Sequence, residues 1–174
     1  MEQEYQSRVK KLESIQHKTL CKLLQLPKTT PYVGLLNELG MLRMEEKLMY
    51  RKMMLYHNII HSDEDRLCRK IVKDQEKSIE EDTFYHETKQ YFNKIGMDIK
   101  VVDDMLKSQL KNTIKERLNN RMIGVIKNAM RMTKSRFQGV SSTLERKKYI
   151  LNLPGTESLK TIKTRLNMET SSAT

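Results

Sequence analysis

Tryptophan is absent from this 174-residue chain, and phenylalanine, cysteine and proline are nearly so, at three, two and three residues. Each shortage excludes something. Two cysteines, Cys21 and Cys68, are too few for a disulfide framework or a structural zinc site, and they fit a reducing compartment. Six glycines and three prolines leave little material for the many tight turns of a strand-rich fold. The longest nearly apolar run, Met53 to Ile60, falls far below the roughly 20 residues that cross a bilayer. The opening Met-Glu-Gln-Glu-Tyr is charged and carries no apolar signal-peptide core. A Gly-rich phosphate loop, a Gly-x-Ser-x-Gly elbow and a Cys–His pair with a supporting acid are also missing. The reading is therefore a non-enzymatic protein with no cofactor and no metal site, placed inside the cell, nuclear or cytoplasmic.

What the chain has is charge, methionine and helical period. Hydrophobic residues make up 37%, mean hydropathy is −0.69 and twelve residues are Met, which fills irregular gaps without specifying a rigid core. The net charge of +11 is unevenly placed: residues 106–174 carry 15 basic against 4 acidic side chains, whereas residues 61–105 carry 8 against 12. Such asymmetry points to a partner rich in negative charge, nucleic acid being the commonest; the plain alternative is a solvated basic helical surface.

The fold expected is all-α, a multi-helix bundle with a short Pro-initiated helix corner and two helical subdomains, residues 1–78 and a basic 79–168, followed by a disordered tail at 169–174. Apolar spacing of three and four predicts a first helix from Gln3 to Gln25. Pro27 stops it. Thr30 as N-cap and Pro31 at the first helical position start a short helix bearing Leu35, Leu36 and Leu39, which Gly40 closes in the left-handed conformation. A third helix follows from Met44 to Ile60, facing inward with Leu48, Leu55, Tyr56, Ile59 and Ile60. Ser62 and the acids Asp63, Glu64 and Asp65 read as the start of a fourth, carried by Leu67, Cys68, Ile71 and Val72. Asp82 reads as the cap of a fifth that presents Phe84, Thr88, Tyr91, Phe92 and Ile95 and ends at Gly96. The longest helix is expected from Val101 to Met132, with Asn119-Asn120 a candidate break. A basic connection from Thr133 to Ser142, a helix from Thr143 to Asn152 and another from Thr156 to Asn167 complete the chain.

Several stretches carry a resemblance. Leu-Glu-x-Ile-Gln-x-Lys-x-Leu (Leu12 to Leu20), Leu-Leu-Gln-Leu-Pro-Lys-Thr-Thr-Pro (Leu23 to Pro31) and Leu-x-x-Glu-Leu-Gly-Met-Leu (Leu35 to Leu42) occur in that order. An Ile-Gly-x-Asp-Ile run (Ile95 to Ile99), Arg-Lys-Lys-Tyr-Ile-Leu-Asn-Leu-Pro (Arg146 to Pro154) and Ile-Lys-Thr-Arg-Leu-Asn-Met (Ile162 to Met168) follow. Together they resemble the segment downstream of the reverse-transcriptase domain in polyproteins of non-LTR (LINE-type) retrotransposons. The resemblance implies a segment that sits behind a polymerase, partners a reverse-transcriptase domain and helps hold template RNA or target DNA. Such polyproteins continue into a Cys/His knuckle; this sequence contains none, and reads as a fragment or remnant of a larger element protein without catalysis.

Three constellations bear on chemistry. His57 and His61 are four apart, a spacing that lets one helix face hold a metal, but the Glu of a zinc-protease motif is missing and two helix-surface histidines are the simpler reading. Asp103 and Asp104 form an adjacent pair like that of polymerases, yet no aromatic precedes them and the sequence after them is helical; two acids in a first helical turn account for them. The remaining signal is basic. Lys107, Lys111, Lys115, Arg117, Arg121, Lys127 and Arg131 run along the long helix; Lys134 and Arg136 follow, then Arg146, Lys147 and Lys148, and finally Lys160, Lys163 and Arg165. Cations at such spacing track a phosphate backbone with little sequence preference and bind by counterion release. Phe137 and Tyr149, beside them, either stack on unpaired bases or belong to a local core. An alternative from another class is a helical interaction or scaffold module that packs against a polymerase domain through Met41, Met44, Met49, Met53 and Met54.

Overall fold

The computed structural model describes residues 2–132 and residue 162. Among them are seven helices and no strand: α1 (Glu2–Leu23), α2 (Tyr32–Leu39), α3 (Met44–Ile60), α4 (Leu67–Lys77), α5 (Phe84–Lys94), α6 (Ile99–Asp103) and α7 (Lys107–Met132). The fold is all-α, as composition and period imply. Two compact units divide the chain: Met1–Glu45 with Asn119–Thr174, and Glu46–Leu118. The border falls inside α3 and α7, so residue 78, where the sequence suggests a division, lies within the second unit. The expected elements at 133–161 and the tail at 169–174 lie outside the described residues.

The first unit is organised at the corner between α1 and α2. The chain leaves α1 through Gln25, a non-glycine residue at φ 51°, while the Leu26 amide donates to the Cys21 carbonyl at 2.8 Å. Pro27 then lies just past a helix end that is already closed. Thr30 does not cap α2. Its hydroxyl donates to the Pro27 carbonyl at 2.6 Å, closing the turn, and Pro31 is the N-cap without a side-chain hydrogen bond. The hydroxyl is used backwards because the turn offers it a carbonyl at shorter range than the amides ahead. His17 on α1 donates to the Thr30 carbonyl at 2.9 Å, tying the corner to the helix before it. At the other end of α2, Gly40 sits at φ 62°, and the Met41 amide donates to the Leu36 carbonyl at 2.8 Å, the left-handed closure that glycine permits. Around this frame Cys21, Leu26, Leu35 and Ile162 form one buried cluster, and Leu36, Met122 and Ile126 another. Each large aliphatic side chain buried this way contributes about 1.5–3 kcal/mol relative to exposure.

The second unit corrects several expected boundaries. Ser62 does not cap α4: its hydroxyl donates to the Ile59 carbonyl at 2.6 Å, so it finishes α3, and Asp63–Asp65 occupy a turn before a helix that begins at Leu67. Thr83, not Asp82, caps α5, accepting from the His86 amide. The buried side of α3 is Met49, Met53, Tyr56 and His57, and Leu55 faces solvent. The expected long helix is broken after Asp103. Two side chains of α3 explain the break: the Tyr56 hydroxyl donates to Asp103 at 3.1 Å, and His57 Nε2 donates to the Met105 carbonyl at 2.9 Å. A carbonyl engaged by an imidazole is satisfied outside the helical ladder, so the chain ends α6 and restarts as α7. Asp98 caps α6 by accepting from the Lys100 amide at 3.0 Å. No break occurs at Asn119-Asn120, and α7 is continuous.

Candidate nucleic-acid interface

α7 carries seven basic side chains and one acidic one, Glu116. Within the second unit Leu110, Ile114 and Leu118 are fully buried along it, one turn apart. That apolar anchor fixes which way the rest of the helix faces. Lys107, Lys111 and Lys115 share the same four-residue repeat and are all exposed. They stand about 6 Å apart along the axis, and none forms a hydrogen bond or ion pair among the described residues. A row of solvated ammonium groups at this spacing suits an extended string of phosphates.

Arg117 is committed elsewhere. Its guanidinium donates to the carbonyls of Ile95 and Gly96, at 2.8 and 2.5 Å, and so closes the C-terminal end of α5. Gly96, at φ 69°, leaves room for it, since a Cβ there would lie 3.1 Å from the guanidinium. In the first unit Arg121 is half-buried and pairs with Glu45 at 3.3 Å, the carboxylate that Arg43 also reaches at 3.0 Å. Lys127 and Arg131, further along, are exposed. Lys134, Arg136, Arg146, Lys147, Lys148, Lys160, Lys163 and Arg165 lie outside the described residues, as do Phe137 and Tyr149.

The basic-run reading left out cations of α1 that the structure exposes, Lys10, Lys11, Lys18 and Lys22. Their signal was their position off the apolar stripe. Among the described residues every aromatic ring is buried or half-buried. The described cations therefore meet phosphate rather than stack on bases.

The histidines and acids have structural employment. His57 is 3% exposed, not a surface residue, and stacks on His61 with ring centroids 4.0 Å apart. Among the described residues no group of three or more His, Cys, Asp or Glu is placed to hold a metal ion. Tyr56, Tyr85, Glu76 and Asp103 form a phenol–carboxylate cluster in the second unit, with Tyr85 donating to Glu76 at 3.3 Å. Burial raises the Asp103 carboxyl above its ordinary value, outweighing the Tyr56 hydrogen bond. Burial, then the nearby carboxylates, pushes the Tyr85 phenol up to about 12 and raises Tyr56 as well. Lys52 is paired with Glu87 and lies 5.4 and 5.5 Å from the ring centroids of Phe84 and Tyr91; burial lowers its ammonium.

The five methionines of the interaction-module reading are not a surface: Met49 and Met53 are fully buried, and Met41, Met44 and Met54 half-buried. No described helix is long and apolar enough to cross a membrane. No family model, curated protein or solved structure matches this chain.

Proposed function

We propose that this chain is a non-catalytic helical segment that binds the phosphate backbone of RNA or DNA inside the cell, in nucleus or cytoplasm, derived from the region behind the reverse transcriptase of a non-LTR retrotransposon. One observation carries the binding: the exposed, unpaired row Lys107, Lys111 and Lys115 on α7. The origin rests on the ordered motifs between Leu12 and Met168. In that setting the segment lies beside a reverse-transcriptase domain and retains strand without reading bases.

The test is fluorescence anisotropy of a labelled single-stranded RNA titrated with the protein at low and moderate salt. Three phosphate contacts on a single strand give a slope of log affinity against log salt near −2 from this row alone. Changing Lys107, Lys111 and Lys115 together to Gln is expected to flatten the slope by about that amount and weaken binding of every sequence alike. Binding that leaves salt and the triple variant without effect would overturn the reading.

A further inference from the structure

α4 is a helix with its apolar side largely uncovered. Of Leu67, Cys68, Ile71 and Val72, only Val72 is buried; Leu67 is 72% exposed, Ile71 46%, and Cys68 is exposed. The contacts of α4 with α5 show which side is used already. Gln75 accepts from the Tyr85 amide at 3.2 Å and Glu76 from the Tyr85 hydroxyl at 3.3 Å, so the face of Val72, Gln75 and Glu76 is the packed one. Leu67 and Ile71, one turn apart, form a ridge beside it that nothing in the chain covers. Two adjacent large apolar residues left at this exposure on one short helix form a patch rather than a scatter.

We propose that this ridge is where a second copy of the chain docks, the two α4 helices lying antiparallel about a two-fold axis. The charges beside the ridge select that occupant. Lys70 and Asp74 each stand three residues beyond a ridge residue, on the solvent side, one turn apart and opposite in sign. In an antiparallel pair centred between them, Lys70 of each copy faces Asp74 of the other while Leu67 and Ile71 cover one another. A parallel pair would set like charge against like. A partner of single sign, nucleic acid included, would meet one of the two charges unfavourably. Lys70 gives up little in making the exchange, because its present partner at 3.2 Å, Asp65, is fully exposed. The surface is separate from the lysine row of α7, and exchanging Lys70 with Asp74 leaves the net charge unchanged.

Sedimentation of the full 174-residue chain over a hundredfold concentration range tests this. The expected result is a mass rising from monomer to dimer and held at monomer by Ile71→Glu, with helicity checked by circular dichroism. Should that variant lose helicity, Leu67→Ser, at the more exposed position, is read in its place. Lys70→Glu and Asp74→Lys are each expected to weaken the dimer about tenfold, and the double exchange to restore it. A monomer at every concentration overturns the proposal. So does a dimer indifferent to both ridge variants, or a double exchange no better than its singles.

Discussion

The core described for Met1–Glu45 with Asn119–Thr174 is aliphatic, made of Cys21, Leu26, Leu35, Leu36, Met122, Ile126 and Ile162, whereas Glu46–Leu118 buries Tyr56, Tyr85, Tyr91 and Phe92 together with His57. Tyr56 lies 6.2 Å from Tyr85 and 6.1 Å from Phe92, centroid to centroid, within aromatic contact range. The difference is more than packing. An aliphatic core holds by burial alone and asks nothing of the solvent's pH. A core of phenols must find acceptors for its hydroxyls, and here the acceptors are Asp103 and Glu76. The second unit's stability is thereby linked to proton binding.

The largest effect is expected from deleting the aromatic centre. Phe92→Ala should cost about 3–5 kcal/mol, and hydrogen exchange across residues 46–118 should quicken accordingly. A loss no greater than that of a surface change would mean the aromatic cluster is not what holds this unit.

Alkali should separate the two cores next. The Tyr85 phenol is raised from about 10 to about 12, and Tyr56 is raised too, so the folded unit keeps protons that the unfolded chain releases. That contribution is fully present below about pH 10 and is lost as pH rises through about 12. Asp103, also raised, acts in the same sense at the acid end: its contribution is present below the unfolded carboxylate value and fades as pH rises through the folded one. Denaturant midpoints followed by exchange at Leu35 and at Phe92 should diverge above pH 10, the second falling faster. Equal decline at both would refute the linkage.

The smallest contrast is between two glycines. Gly96 in the second unit sits at φ 69° with Arg117 close by, so Gly96→Ala should destabilise by about 1–2 kcal/mol. Gly124 in the first unit is inside α7, exposed, with nothing within 4 Å of a Cβ, and Gly124→Ala should stabilise by up to about 1 kcal/mol. Thermal melts of the two variants shifting in the same direction would contradict these backbone assignments.

Much of the architecture was readable from spacing. The bounds of α3 coincide with the expected Met44 to Ile60, and Gly40 and Gly96 stand in the left-handed conformation at helix ends. The caps were misread because a hydroxyl beside a helix can serve either the amides ahead or a carbonyl behind. Thr30 and Ser62 both chose the carbonyl. The break between α6 and α7 had no local sign at all, since its causes, Tyr56 and His57, lie 47 and 48 residues away from their partners. For the candidate interface, the lysines were visible as a repeat. That Arg117 and Arg121 spend their guanidiniums inside the protein was not, because a cation's partner depends on which carbonyl or carboxylate the fold brings beside it.

By itself, then, the sequence determined the helical class, most helix ranges and the excess of positive charge toward the C-terminal half, because these follow from residue type and short-range spacing. Tertiary structure alone decided which face of α3 is buried, where α7 begins, which cations stay free for a ligand and which apolar residues, Leu67 and Ile71 on α4, are left for one. Each of those depends on a side chain meeting a group far along the chain, and periodicity carries no record of that meeting.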